Sequence, residues 1–144
     1  MSLAASYEPA NIFAKIIRGE APAIKVFEDE VAVAFMDIFP QSDGHTLVVP
    51  KTMGATNILT ADPKDLAALI TRVQQVTKAL VKALKPAGVR IVQFNGAPAG
   101  QSVFHLHFHV IPIFEGAPLR RHGGEKAETA HLEHLAAKIR AAVS

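Results

Sequence analysis

Apolar and polar positions along the chain change period several times, and each change marks an element. NIFAKIIRGE places Ile12, Phe13, Ile16 and Ile17 at helical spacing and stops at Gly19. IKVFED and VAVAFMD then read as two strands around a tight turn at Glu28–Glu30. IFPQSDG is rich in turn formers and reads as a loop. HTLVVPK is a third strand, closed by Pro50. A long helix follows. Asp62 suits its N-cap and Pro63 its first position. Leu66, Leu69, Ile70, Val73, Val76, Leu80, Val81 and Leu84 form its apolar stripe, and Pro86 and Gly88 end it. VRIVQFN is a fourth strand, GAPAGQS a loop, and VFHLHFHVIPIF a fifth strand. After a Gly/Arg loop at 115–124, EKAETAHLEHLAAKIRAAVS predicts a C-terminal helix.

Strands come in runs, with one long helix between the third and fourth. That order predicts an α+β fold on a mainly antiparallel sheet, not alternating βα units. No repeat or linker divides the chain, so residues 1–144 are expected to form one domain. Residues 1–10 are its loose arm, and 115–144 its loop and C-terminal helix.

Composition narrows the class. Hydrophobic residues make up 49% and charged residues 19%, which is a globular balance. Apolar runs fall short of the ~20 residues a membrane span needs, and no secretory signal opens the chain. The expectation is a cytoplasmic protein without a membrane partner. The absence of cysteine excludes disulfides, thiol catalysis and thiolate-bound zinc. The formal charge of +2 is small, and Lys and Arg are scattered. No nucleic-acid partner is expected.

The chemistry concentrates in FHLHFHVI. His105, His107 and His109 alternate with Phe104, Leu106, Phe108 and Val110. On a strand the three imidazoles share one face, with neighbours roughly 6–7 Å apart, and the apolar residues share the other. One reading is a metal site, since imidazole ligates zinc. The three span too far for one tetrahedral ion without a further ligand. The other is nucleophilic catalysis, since a neutral imidazole attacks phosphorus and leaves again when water arrives. Neighbouring histidines would then manage charge and protons. The preceding AGQS loop favours phosphate. Gly100 permits close backbone approach, Gln101 and Ser102 add donors, and Asn95 adds another.

These residues resemble a known family. HLHFHVI fits the His-φ-His-φ-His-φ-φ pattern, with φ apolar, of the histidine triad (HIT) superfamily. NIFAKIIRGE, VFEDEVAVAFMDIFPQSDGHTLVVPK and AGQSVFHLHFHVIP are similar to its nucleotide-binding branch, over roughly residues 11–114. The resemblance implies a five-stranded antiparallel sheet with helices, and a homodimer. It implies a purine nucleoside monophosphate or derivative as partner, and hydrolysis of phosphoramidates or related phosphoanhydrides. His107 would be the nucleophile, forming a nucleotidyl-histidine, with its tautomer fixed by the His105 carbonyl. His105 and His109 would flank it. Ser102, Gln101, Gly100, the Val103 backbone and Asn95 would hold phosphate or position the nucleotide. Asp37 would take the ribose hydroxyls, and Phe13, Ile16, Phe35 and Ile38 would enclose the base.

Some histidines stay outside this assignment. His45 is open between a structural role, a metal ligand and a neighbour of the triad. His122, His131 and His134 are expected in solvent. One departure concerns metal. Many bacterial members begin with a Cys-x-x-Cys pair that binds zinc together with histidines matching His45 and His105. Here Asn11 and Ala14 stand in those places, so structural zinc is expected to be absent and no cofactor required. Two other readings stay on the table: a metal-dependent hydrolase using the three histidines, and a nucleotide-binding regulator with little turnover.

Overall fold

The computed structural model describes Leu3 and residues 6–144. The expectation of a loose arm at residues 1, 2, 4 and 5 lies outside the described residues.

The chain forms α1 (Ile12–Ile17), β1 (Lys25–Glu28), β2 (Ala32–Met36), β3 (Thr46–Pro50), α2 (Pro63–Leu84), β4 (Gly88–Val92), β5 (Phe108–Ile113) and α3 (Thr129–Ala142). The strands make one sheet in the order β1-β2-β3-β5-β4. Every pairing is antiparallel. The class is α+β, as the run of strands implies.

The helix ends follow their sequence signals. Asp62 accepts from the N–H of Lys64 at 2.9 Å and of Asp65 at 3.4 Å, and Pro63 occupies the first turn. Lys85 closes α2 with φ 51°, ahead of Pro86, which cannot continue a helix. Asn11 caps α1 by accepting from Ala14 N–H at 2.9 Å. The C-terminal helix starts at Thr129, later than the expected Glu125.

Alternation along the strands builds two different faces. Ala32, Ala34, Met36, Val48, Phe108 and Val110 join Leu69, Val73, Val76 and Leu80 of α2 and Leu132, Leu135 and Ile139 of α3 in one apolar core. Val33, Phe35, Leu47 and Val49 point the other way and pack with Phe13 and Ile16 of α1. Two residues of the predicted α2 stripe lie off its centre. Ile70 is 46% and Val81 42% exposed, while Leu69 and Leu80, one position away, are fully buried.

The fifth strand is shorter than its pattern. Alternation runs from Val103, but β5 begins at Phe108. Its partner β3 pairs it only from Thr46 to Val48. His105 and His107 therefore lie on the run-in to the strand, where Leu106 N–H donates to Ala55 O at 2.8 Å. Phe104, expected in the core, is only partly buried.

Candidate functional site

The histidines lie on the α1 side of the sheet. Leu47 of β3 and Val92 of β4 flank His109 in register. All three are buried, at 2%, 6% and 3% exposure for His105, His107 and His109. The rings of His107 and His109 stand 4.9 Å apart, and Phe13 meets His107 edge-on at 4.9 Å.

Hydrogen-bond partners assign the tautomers. His107 Nδ1–H donates to the His105 carbonyl at 2.7 Å. A carbonyl only accepts, so the proton is on Nδ1, and the Nε2 lone pair has no hydrogen-bond donor among the described residues. His105 Nε2–H donates to Pro50 O at 3.2 Å. Its Nδ1 then accepts from the Tyr7 hydroxyl at 2.8 Å. On the other side, Gln41 N–H donates to His45 Nδ1 at 3.0 Å. The His45 proton is therefore on Nε2, which donates to His109 Nδ1 at 2.9 Å. Neutral His109 must then carry its proton on Nε2. That atom is buried and has no hydrogen-bond partner among the described residues. An unmet buried donor is costly, and here it belongs to a ring 4.9 Å from that of His107.

Burial sets the protonation. It lowers His107 to about 4, against the opposing hydrogen bond to the His105 carbonyl. It lowers His45 to about 4, partly opposed by Asp37. It lowers His105, and it lowers His109, with further repulsion from His107, His45 and His122. All four are neutral at pH 7, the state a nucleophile requires.

In front of His107 and His109 opens a cleft of about 680 Å³. Phe13, Ile16, Phe35, Asp37, Ile38, Ser102 and Val103 all line it. Phe13, Ile16 and Phe35 are also packed in the smaller core, whereas Ile38 is 41% exposed. Asp37 follows β2. Its Oδ1 accepts from Phe39 N–H at 2.8 Å, and its Oδ2 is 3.4 Å from His45 Nε2.

Three residues expected to hold phosphate or position the nucleotide bond to the protein itself. Gln101 is buried, and its side chain braces its own loop. Its Oε1 accepts from Gly96 N–H at 2.8 Å, and its Nε2 donates to Thr56 O at 2.7 Å and Val103 O at 3.1 Å. Asn95 is held by Gln93 and accepts from Ile58 N–H at 3.0 Å. Gly100 has φ 114°, and a Cβ there would come within 3.3 Å of the Phe94 ring. Its backbone conformation and this contact require glycine. None of the three lines the cleft. A loop folded on itself satisfies its own polar groups first.

Other contributors carried no signal in the periodicity. Tyr7, from the arm read as loose, docks on His105 with ring centroids 5.5 Å apart. Phe94 packs on His109 at 5.3 Å. His122, expected in solvent, lines the cleft and reaches His109 at 5.5 Å. His131 is exposed and bonds Asp43 at 3.1 Å, and His134 is exposed.

Ligand atoms of Asp37, His45 and His109 lie within 4.8 Å of one another. The two nitrogens are spaced as a hydrogen bond, however, while tetrahedral ligands on one zinc stand about 3.3 Å apart. The positions of the family zinc do not fit an ion either. Asn11 Oδ1 caps α1, Ala14 has no ligand atom, and both nitrogens of His105 and of His45 have protein partners.

Comparison with known proteins gives one pattern. A family model described as HIT domain matches residues 18–116. The adenosine 5'-monophosphoramidase HNT1 of Saccharomyces cerevisiae is 36% identical over 143 residues, covering 94% of this chain and 87% of the relative. The adenylylsulfatase HINT3 of Arabidopsis thaliana is 38% identical over 117 residues, covering 77% and 59%. The crystal structure of a Hit-like protein involved in cell-cycle regulation from Bartonella henselae superposes with a TM-score of 0.90. It is 47% identical, covering 96% of this chain and 100% of that one.

Proposed function

Because the chain belongs to the HIT family, we propose that it is a nucleotide hydrolase that works through a covalent nucleotidyl-histidine on His107. The observation that carries this is the free Nε2 of buried, neutral His107 beside the unmet Nε2–H of His109. His107 Nε2 attacks the α-phosphorus. The bond to the leaving group breaks, and its electron pair departs with that group. The new phosphorus–nitrogen bond leaves the imidazole cationic, and its Nδ1–H to the His105 carbonyl stabilises that charge. His109 Nε2–H donates to a phosphoryl oxygen. Water then attacks phosphorus, and the bond to nitrogen breaks, releasing the nucleoside monophosphate. His45 orients His109, and Asp37 accepts the ribose hydroxyls. Phe13, Ile16, Phe35 and Ile38 hold a purine base. Ser102 and the Val103 backbone contact phosphate. Relatives named for phosphoramidate and adenylyl-sulfate hydrolysis support this chemistry.

The working unit is the whole chain, as a homodimer in the cytoplasm. Exposed Ile91 on edge strand β4 and exposed Ile70 and Val81 on α2 support an association surface. Light scattering giving a monomer mass at working concentration overturns the dimer. Among the described residues, no helix is long and apolar enough to cross a membrane. The reaction needs no cofactor, and structural zinc is absent. Near-stoichiometric zinc by elemental analysis of unsupplemented protein overturns that statement.

The test of function is release of adenosine monophosphate from adenosine 5′-phosphoramidate in EDTA. Wild type turns over and His107→Asn does not. Activity abolished by EDTA in wild type points to a metal-dependent hydrolase instead. Nucleotide binding without turnover points to a regulator.

A further inference from the structure

Beyond residue 116, where the family match ends, the chain adds two charged side chains to the cleft that the proposed reaction leaves unused. Most of the lining is apolar, and its carboxylates and amine are Asp37, Glu133 and Lys126. Lys126 precedes α3. Glu133 lies one turn into α3, on the same face as Thr129, which also lines the cleft. The fold fixes where they stand. Ala127 N–H donates to Ile38 O at 2.9 Å, which sets Lys126 beside a residue assigned to the base. Leu132, next to Glu133, packs in one core with Met36, whose chain neighbours Phe35 and Asp37 are assigned to base and ribose. Lys126 and Glu133 are exposed. Neither is in an ion pair among the described residues.

Resting on the nucleotide-hydrolase reading, we infer that Glu133 and Lys126 read the edge of the purine base and select guanine over adenine. With phosphate at His107 and ribose at Asp37, the base lies beyond Asp37, among Phe35, Ile38 and these two side chains. The apolar walls hold the faces of any purine and cannot tell one from another. The edges differ. Guanine presents N1–H and its 2-amino group side by side as donors, with O6 next to them as an acceptor. A carboxylate accepts from both donors at once, and an ammonium donates to O6. Adenine presents its 6-amino donor beside the N1 acceptor and has no second donor for the carboxylate. Glu133 and Lys126 therefore match guanine with three charge-assisted hydrogen bonds. Both lie where water competes, so the preference is a matter of degree. Adenine still fits between the walls, and adenosine substrates remain usable at lower kcat/KM.

The experiment measures calorimetric Kd values for GMP, IMP and AMP, and kcat/KM on guanosine and adenosine 5′-phosphoramidates. The proteins are wild type, Glu133→Ala, Glu133→Gln and Lys126→Ala. Wild type favours GMP over AMP by about 10-fold, as one bidentate contact to a base supplies. IMP, which lacks the 2-amino group, falls between them. Glu133→Ala brings the GMP-to-AMP ratio to about one, whereas Glu133→Gln, which keeps one acceptor, and Lys126→Ala each retain part of it. Thermal melts of all four confirm that the variants fold. Equal Kd values for GMP and AMP in wild type, or a guanine preference that survives Glu133→Ala, overturn the inference while the hydrolase reading stands on turnover. Selective GMP binding without turnover of either phosphoramidate sinks the hydrolase reading and keeps the guanine site. If wild type neither binds nor cleaves a nucleotide, both fall.

Discussion

The two faces of the sheet are built from the same strands and do opposite work. On the helix side, Ala32, Ala34, Val48, Val110, Leu69, Val76 and Leu80 are completely buried and carry no side-chain polar atom. On the α1 side, Phe35, Leu47 and Val49 are buried almost as deeply, but β5 and the chain leading into it supply imidazoles there. The difference is a matter of register. From Leu106 to Val110, odd positions face the cleft and even positions face the helices. One residue of slip would exchange them. The apolar face holds the chain so that the polar face can keep neutral imidazoles out of water, each fixed to one tautomer by a neighbour.

If this division is right, variants on the two faces fail in different assays. The largest effect belongs to His107→Asn. Loss of the nucleophile lowers turnover by at least about 10⁴-fold, or about 5.5 kcal/mol of barrier. The melting temperature moves by no more than about 3 °C. Leu80→Ala, deep on the helix side, shows the reverse. It costs about 3 kcal/mol of stability by emptying a filled site, read as a lower denaturant midpoint. The kcat of the folded protein stays within about threefold. A Leu80→Ala enzyme that loses turnover as severely as His107→Asn would break the comparison.

Most of the helix side was legible in the sequence, because apolar spacing and Asp62–Pro63 are local signals. The triad was legible too, since a period of two is rare for histidine. The start of β5 was not, because how far a strand pairs depends on its partner, and β3 pairs it no farther than Val48, opposite Phe108. That Gln101 and Asn95 bond within the protein was not, because a loop's own need for partners is invisible in sequence. Tyr7 and His122 reach the site from outside residues 18–116, through packing that no local pattern encodes.

Tyr7 sharpens the comparison at smaller scale. Its hydroxyl holds His105, whose carbonyl in turn holds His107. Tyr7→Phe keeps the ring and removes that donor. The expected loss in kcat is about fivefold, equivalent to about 1 kcal/mol, with KM unchanged. Nitrogen NMR of the imidazoles should show a second His105 tautomer. One tautomer and full kcat would reduce Tyr7 to packing.

The smallest effect on rate should come from acid, and here the two assays part again. In the proposed mechanism His107 acts in its neutral form, and burial lowers it to about 4. Its neutral form therefore persists as pH falls from 7 to about 5.5, and kcat/KM should change less than about twofold on its account. Stability behaves otherwise. In the unfolded chain these histidines take up protons near their ordinary value of about 6.5, which the folded protein refuses. Below that pH the unfolded state binds more protons, so the melting temperature should decline while the rate holds. A rate that falls by half near pH 6.5 would mean that His107 titrates like an exposed imidazole, and that the α1 face does not exclude water as its burial indicates.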